Sequence, residues 1–528
     1  MNRTFNDTGL CLPNHHYMVD ITPKINAVRS LIERGQYFTI NRPRQYGKTT
    51  LLTQLSQTLN QTDDYLALEL SFEDMDSETY QHQQQFITTF LQMLCIELEA
   101  LGYETAVTLL NNQTHTASNM LGLSQLLSRL LTQILAPKQV VLLIDEVDKS
   151  SNNQLFLDFL GMLRKKYLRR DKGRDHTFQS IILAGVHDIK TLKTKIKTNN
   201  GAQYNSPWNI AIDFNIDLSF SPAEIETMLH DYCQTTQNHF DIPTIANRLH
   251  YYTSGYPYLV SKLCKFIDED IVSSRENKSW TTLDVESAFK MIVHDSYTTT
   301  LFDSLAKNLE NNPELYDFIS QIILQGKKIP FIITNPTINL GHLYGIIVPS
   351  PNGYCQIHNR IFEQRIYTHL MLPLILDEYQ TIAPLNSPEF YTDSGLDIPL
   401  ILRRFQAFMR EHYSHKDEQF LEREGRLLFL AYLRPIINGK GFDFKEPHVG
   451  DERRLDLVIT YQSQREVIEL KRWYGPQRHQ EGLAQLSTYL DMYGLQHGYL
   501  LIFDFSQNKS YKEELIKFDN KQIFAIWV

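Results

Sequence analysis

The chain is poor in everything that would mark it as secreted, membrane-spanning or uniformly basic. Its 528 residues hold only five cysteines, Cys11, Cys95, Cys233, Cys264 and Cys355. They are odd in number and lack the close pairs of a zinc site, so they read as free thiols and exclude a disulfide scaffold. No apolar run approaches the roughly 20 residues that cross a bilayer. The opening stretch from Met1 to Asp7 has no apolar core of the kind that marks a secretory leader. A cytoplasmic protein without a membrane partner is expected. The eighteen histidines show no metal-binding spacing, the adjacent His15 and His16 included. Positive charge is not in surplus either: the net charge is −10, so contact with nucleic acid must come from local patches. One such patch lies between Met162 and Lys197, with eleven Lys or Arg, among them Arg164, Lys165, Lys166, Arg169 and Arg170, against Asp171, Asp175 and Asp188. Its plain reading is a solvated helix face. What remains, 42% hydrophobic and 21% charged residues, suits a globular protein with sizeable cores. The length allows about three or four domains.

The densest information sits between Tyr37 and Thr50. Tyr37, Phe38, Thr39 and Ile40 read as a short strand, and Leu51, Leu52 and Leu55 begin a helix. Between them runs Arg42-Pro43-Arg44-Gln45-Tyr46-Gly47-Lys48-Thr49, the closing half of a phosphate-binding loop in the context such a loop requires. The first free N–H groups of a helix, aided by its dipole, favour an anion. Gly47 lets the backbone approach phosphates, Lys48 can reach the β- and γ-phosphates, and the Thr49 hydroxyl can sit on Mg²⁺. Arg42 stands where the usual first glycine would be.

A second element completes the pattern. Val140, Val141, Leu142, Leu143 and Ile144 are apolar on both faces, as in a central parallel strand. Asp145 and Glu146 follow at its carboxyl end, where open α/β sheets bind ligands. Asp145 fits the role of holding Mg²⁺ and Glu146 that of polarising an attacking water. Ser180 to Val186 reads as a further buried strand, with His187 and Asp188 just past it, either as sensors of the γ-phosphate or as ordinary loop residues.

Along the chain, residues 1–215 alternate helix and strand as a doubly wound α/β core does. Ser221, Pro222 and Glu224 make a helix start with a capping box, opening a helical lid over residues 216–295. Residues 296–371 read as helices and a hairpin around Pro349–Gly353, the pattern of a winged-helix-like domain. The proline-marked stretch 372–398 reads as a linker, and 399–528 as a last α/β domain. No internal repeat or low-complexity tract interrupts this order.

That last domain carries its own chemistry. Arg454 to Tyr461 and Glu466 to Arg472 alternate as strands around a turn at Gln462-Ser463-Gln464. Glu469 and Lys471 share a face, because side chains repeat every two residues. A hairpin symmetric about the Gln462–Ser463 bond sets Asp456 opposite Glu469, about 5 Å apart at Cβ. Two carboxylates so placed can share Mg²⁺, with Lys471 orienting a water or neutralising charge on a phosphate. Glu424 lies on the apolar face of its helix with Phe420, Leu427, Leu428 and Ala431, where a carboxylate is costly unless paired or metal-bound. Gln485 and Tyr489 lie one turn apart beside Leu483, Leu486 and Leu490.

These motifs carry a resemblance. Asn41–Thr49, Ile144-Asp145-Glu146-Val147-Asp148, Ser206-Pro207-Trp208-Asn209 and Gly255-Tyr256-Pro257 resemble the bacterial and archaeal AAA-like ATPases of the signal-transducing, STAND-like group. That group tolerates the missing first glycine. The resemblance implies ATP and Mg²⁺, with Arg44, Gln45, Tyr46, Gly47, Lys48, Thr49 and Thr50 around the phosphates, Thr49 and Asp145 toward the metal, and Glu146 catalytic. Arg164, Arg169 and Arg170 are candidates for an arginine finger, and a homo-oligomer is compatible. Residues from about 400 resemble the PD-(D/E)XK nuclease superfamily. Asp456 matches its metal-binding aspartate, Glu469-Leu470-Lys471 its Glu-x-Lys, Glu424 its helical acid, and Gln485-x-x-x-Tyr489 a helix motif of several branches. Leu455 replaces the name-giving proline. The implied whole is an ATPase that regulates a nuclease using Mg²⁺ or Mn²⁺ on nucleic acid, DNA before RNA. The other reading is a nucleotide-driven switch whose last domain binds nucleic acid or protein without cutting.

Overall fold

The computed structural model describes residues 3–76, 78–113, 117–150, 153–186, 208–293, 299–323, 327–378, 390–392, 395–412, 428–429, 432–433, 436, 441–444, 457–461, 464–473, 475–504, 506 and 509–528. The chain divides into two compact units, Met1–Leu301 with Ile332–Val348, and Phe302–Phe331 with Pro349–Val528. Among the described residues, no helix is long and apolar enough to cross a membrane.

The first unit is built on four parallel strands, β1 (Phe38–Asn41), β2 (Tyr65–Ser71), β3 (Gln139–Asp145) and β4 (Ser180–Gly185), in the order β1-β4-β3-β2. Every residue of β3 from Val140 to Asp145 is buried, as is all of β4. This is the two-faced burial that the apolar runs predict. The outer edge of β1 carries one further parallel bridge, Phe38 to Ile212. Helix α1 (Lys48–Asn60) follows β1, and α2 (Gln154–Arg170) lies between β3 and β4. Leu51, Leu52, Leu55 and Leu59 form the buried stripe of α1, at the spacing that puts one helix face on the sheet.

Four helices follow: α3 (Pro222–Thr236), α4 (Ile242–Thr253), α5 (Pro257–Lys265) and α6 (Thr282–Val293). Ser221 caps α3 with both halves of the capping box, the Ser221 side chain accepting from Glu224 N–H and the Glu224 side chain accepting from Ser221 N–H. Between α4 and α5 the chain turns at Gly255, whose φ is +72°, and Phe220 N–H donates to the Gly255 carbonyl at 2.8 Å. A Cβ at this position would overlap the carbonyl oxygen of Phe220. Only glycine satisfies both demands.

In the second unit, helix Arg360–Glu378 runs past the point where prolines suggest a linker, with Pro373 inside it. One proline removes one donor and need not end a helix. A six-stranded mixed sheet follows, with strands β5 (Gly441–Phe444), β6 (Leu457–Tyr461), β7 (Gln464–Arg472), β8 (His497–Phe503), β9 (Glu513–Phe518) and β10 (Lys521–Trp527) in the order β9-β10-β8-β7-β6-β5. The centre, β7-β8-β10, is parallel, and the outer pairs are antiparallel. Helix α7 (Ile398–His412) meets the carboxyl end of β10, where Gln406 Nε2 donates to the Trp527 carbonyl at 2.7 Å. Helix α8 (Pro476–Met492) covers the face of Val467, burying Leu483, Leu486, Tyr489 and Leu490 against Leu500, Ile502 and Trp527.

Two predictions follow from packing and charge. Gly255→Ala should cost about 1–3 kcal/mol from the left-handed backbone alone, and more from the overlap, read as a lower melting temperature. In the second unit, burial pushes the Glu466 carboxyl up to about 7, against a lowering hydrogen bond with Tyr499. Between its ordinary value of about 4.3 and 7 the folded state then holds a proton that the unfolded state has lost. Stability should therefore fall as pH rises through that window and level off above it. Glu466→Gln should flatten the fall, measured by hydrogen exchange of the β7 and β8 amides across pH.

Candidate functional site

The loop after β1 stays tied to the sheet for one more residue, because Arg42 N–H donates to the Gly185 carbonyl at 3.0 Å. The Arg42 guanidinium donates to the Ile216 carbonyl at 2.8 Å and lies 5.4 Å from the centre of the Phe214 ring. That is how arginine fits where a glycine is usual: its side chain is taken up by the 214–216 segment. The backbone then bends through two left-handed residues, Gln45 at φ 56° and Gly47 at φ 79°, and α1 starts at Lys48. Such alternation turns successive N–H groups inward as an anion nest, and the first amides of α1 have no partner within the helix.

Lys48 is 6% exposed, and its Nζ donates to the carbonyls of Arg42 (3.0 Å) and Pro43 (2.9 Å). Burial lowers its pKa, while Asp145, Glu146 and Asp148 pull it back up. Gln45 Nε2 donates to Thr300 at 3.2 Å, while its Oε1 is buried without a hydrogen-bond partner among the described residues. Thr49 Oγ1 donates to Asp145 Oδ2 at 2.6 Å, and the other Asp145 oxygen accepts Glu146 N–H at 2.9 Å. Glu146 itself sits at φ 54°, a conformation that costs a non-glycine residue energy and clusters at functional sites. Burial raises its carboxyl above the usual range, as do Asp145 and Asp148, with Lys48 opposing. The loop, Lys48, Thr49, Asp145 and Glu146 thus meet at one point, as their motifs predict.

Beside the loop opens a cavity of about 880 Å³ including its mouth, lined among others by Asn6, Cys11, Tyr17, Gly47, Phe220 and Pro257. The N-terminal segment forms one wall and is fastened to α3 and α5. Arg3 meets Asp231 at 2.6 Å, and Asp7 meets Lys262 at 2.6 Å and Lys265 at 2.7 Å. It is also fastened to α1, since Cys11 N–H donates to Thr50 Oγ1 at 3.3 Å. Tyr256 of the Gly-Tyr-Pro corner donates its hydroxyl to the Arg44 carbonyl, and its ring meets Tyr46 edge-on at 4.8 Å. The motif reading does not find this wall or this clamp. The glycine-aromatic-proline order at 255–257 is the one local signal that lies at the second.

The arginine candidates are engaged locally. Arg164 donates to Asn209 at 2.9 Å, Arg169 lies 3.9 Å from Asp175, and Arg170 donates to the carbonyls of Gly35, Phe178 and Gln179. His187, Asp188, Ser206 and Pro207 lie outside the described residues.

In the second unit, β6 and β7 pair with Leu457 opposite Ile468 and Tyr461 opposite Gln464, the register symmetric about the Gln462–Ser463 bond. Glu469 is fully buried and Lys471 Nζ lies 2.9 Å from its Oε1. A Cβ on Gly482 of α8 would stand 3.5 Å from Lys471 Cγ, and the Trp473 ring lies 5.6 Å from His479. Strand and helix therefore run past each other in opposite order, Trp473 by His479 and Lys471 by Gly482. Gln485, one turn further along α8 from Gly482, is half-buried. Asp456 and Glu424 lie outside the described residues. Among the described residues, no group of three or more His, Cys, Asp or Glu could hold a metal.

Among curated proteins, none matches the chain. Among solved structures, the Walker-type ATPase PABY2304 of Pyrococcus abyssi is 12% identical, with 69% of this chain and 99% of that one covered at a TM-score of 0.46. The Aeropyrum pernix ORC2 protein is also 12% identical, covering 70% and 98% at 0.38. The Thermotoga maritima RuvB Holliday junction branch migration motor is 13% identical, covering 66% and 93% at 0.32. At identities this low, nothing about substrate or assembly passes from those proteins to this one. A family model described as an AAA-like domain matches residues 10–344 of the 528. Because that single stretch takes in Lys48, Asp145 and the Gly255–Pro257 corner, the chain belongs to the AAA-like domain family.

Proposed function

We propose that the first unit binds and slowly hydrolyses ATP. The observation that carries this is the meeting of Lys48, Thr49, Asp145 and Glu146 at the mouth of a nest made by Gln45 and Gly47. The residues fit both groups that the reading requires. Lys48 is held by two loop carbonyls that a phosphate oxygen can replace. Thr49 and Asp145 offer two oxygens at 2.6 Å, the hard donors that Mg²⁺ takes. Mg²⁺ would supply charge neutralisation on the phosphate oxygens. The chain's own residues do the rest. The nest and Lys48 hold the triphosphate, the cavity between the N-terminal wall and Phe220 takes the base, and Glu146 accepts a proton from the attacking water. The water oxygen bonds to the γ-phosphorus as its bond to the bridging oxygen breaks, leaving ADP and phosphate. Lys48→Ala should abolish ATP binding by calorimetry. Glu146→Gln should bind ATP normally and lose at least about 100-fold in kcat, the low end for a general base. Undiminished phosphate release by Lys48→Ala would sink this reading.

Residues 399–528 are proposed to be a restriction-endonuclease-like domain, preceded at 296–371 by a winged-helix-like one, whose cleavage of nucleic acid, DNA before RNA, is regulated by the ATPase. Its support is the buried Glu469 carboxylate with the Lys471 ammonium beside it, on a strand pair whose register is symmetric about the Gln462–Ser463 bond. A metal there needs a further oxygen ligand, expected from Asp456, with Glu424 as a catalytic carboxylate beside it. Lys471 would then steady the attacking water and Gln485 approach from α8. The purified chain, incubated with single- and double-stranded DNA and RNA, Mg²⁺ or Mn²⁺, with and without ATP, should cleave at least one substrate. Glu469→Ala, Lys471→Ala and Asp456→Ala should each stop cleavage while ATP hydrolysis stays within about twofold, since the two sites share no residue. Binding without cleavage under every condition would instead favour a nucleotide-driven switch.

A further inference from the structure

Asp148 belongs to no role assigned so far. It sits two residues beyond Glu146, in the short 3₁₀ turn Val147–Ser150. Its Oδ2 accepts the N–H of Val186, one residue past the end of β4, at 2.7 Å. The same carboxylate occupies the space where a side chain at Gly185 would begin: a Cβ there would stand 2.9 Å from Asp148 Oδ1 and 3.1 Å from its Cγ. The backbone at Gly185 is not left-handed, so glycine is needed there for room and not for conformation. Gly185 in turn accepts Arg42 N–H at 3.0 Å. One carboxylate therefore ties the turn that carries Glu146 to the end of β4, and through Gly185 to the first residue of the phosphate loop.

Glu146 is held at φ 54°, which its own preferences do not supply. The conformation must be imposed from both sides. On one side Asp145 Oδ1 accepts Glu146 N–H, and on the other the turn is fastened by Asp148. We infer that Asp148 is a positioning residue for Glu146, acting through its hydrogen bond to Val186 N–H, and that Gly185 is its required counterpart. The inference rests on the ATPase reading for its effect on turnover, but the fastening itself is a property of the protein without nucleotide.

The test uses the full chain and four variants: Asp148→Ala, Asp148→Asn, Gly185→Ala and the double variant Asp148→Ala/Gly185→Ala. Asparagine keeps an acceptor for Val186 N–H and loses the charge. Asp148→Ala should bind ATP within about threefold of the parent and lose at least about tenfold in kcat, as misplaced catalytic groups do. Asp148→Asn should recover most of that loss. Gly185→Ala should lose kcat on its own by displacing the carboxylate, yet cost nothing further in the Asp148→Ala background, where there is no carboxylate to displace. In parallel, hydrogen exchange without nucleotide should show peptides spanning 146–150 and 185–186 exchanging faster in Asp148→Ala and as in the parent in Asp148→Asn. Unchanged exchange in Asp148→Ala, or asparagine no better than alanine, overturns the assignment. If the parent proves unable to hydrolyse ATP, the ATPase reading fails while the exchange measurement still decides the fastening.

Discussion

A hydrogen bond of 2.6 Å from Thr49 to Asp145 spans the width of a strand. Thr49 lies in the first turn of the helix after β1 and Asp145 closes β3, and β4 lies between those strands in the sheet. The bond can form only if the carboxyl ends of all three strands finish at one level, which the parallel registers of β1 with β4 and β3 with β4 provide. Buried apolar side chains on β3 and β4 fix that level. A one-residue slip would exchange the faces of a strand and carry Asp145 away from the loop. Lys48, Glu146 and the anion nest all take their places from this alignment.

The electrostatics of the site are lopsided before any ligand arrives. One buried ammonium, Lys48, faces Asp145, Glu146 and Asp148, with Arg44 the further cation that acts on it. Arginine at position 42 adds no balance, because its charge is directed to the carbonyl of Ile216. A triphosphate alone would add negative charge to a corner already short of positive charge. A divalent cation between the Thr49–Asp145 oxygens and the phosphates would relieve it, which gives a physical reason for the two to bind together.

What the sequence reveals follows from how local each signal is. The strand at 140–144, the helix start at Ser221 and the register of the β6–β7 hairpin rest on periodicity, capping and turn symmetry, all written within a few residues, and each is found in place. The accommodation of Arg42 is not written locally, for its partners Phe214 and Ile216 lie in a distant segment with no motif. Nor is the wall made by Asn6 and Cys11, whose residue types are unremarkable until tertiary contacts place them beside Gly47. Pro373 shows the opposite fault, a strong local signal outweighed by the helix around it. In the second unit, the shared face of Glu469 and Lys471 follows from the two-residue repeat, while the burial of Glu469 depends on α8, which no hairpin pattern reveals.

The family match begins at residue 10, yet the folded unit begins earlier. Phe5 is 1% exposed, with its ring 5.0 Å from Tyr17, 5.2 Å from Tyr232 and 5.8 Å from Trp280. Asp7 is the shared counter-charge of Lys262 and Lys265, which stand three residues apart on one helix. The unit that evolution copies and the unit that physics closes therefore have different edges. A fragment cut where the family similarity starts would bare the rings of Tyr17, Tyr232 and Trp280 that Phe5 covers. It would also take from Lys262 and Lys265 the carboxylate they share beside the cavity, and removing one partner from a partly buried charge cluster is destabilising.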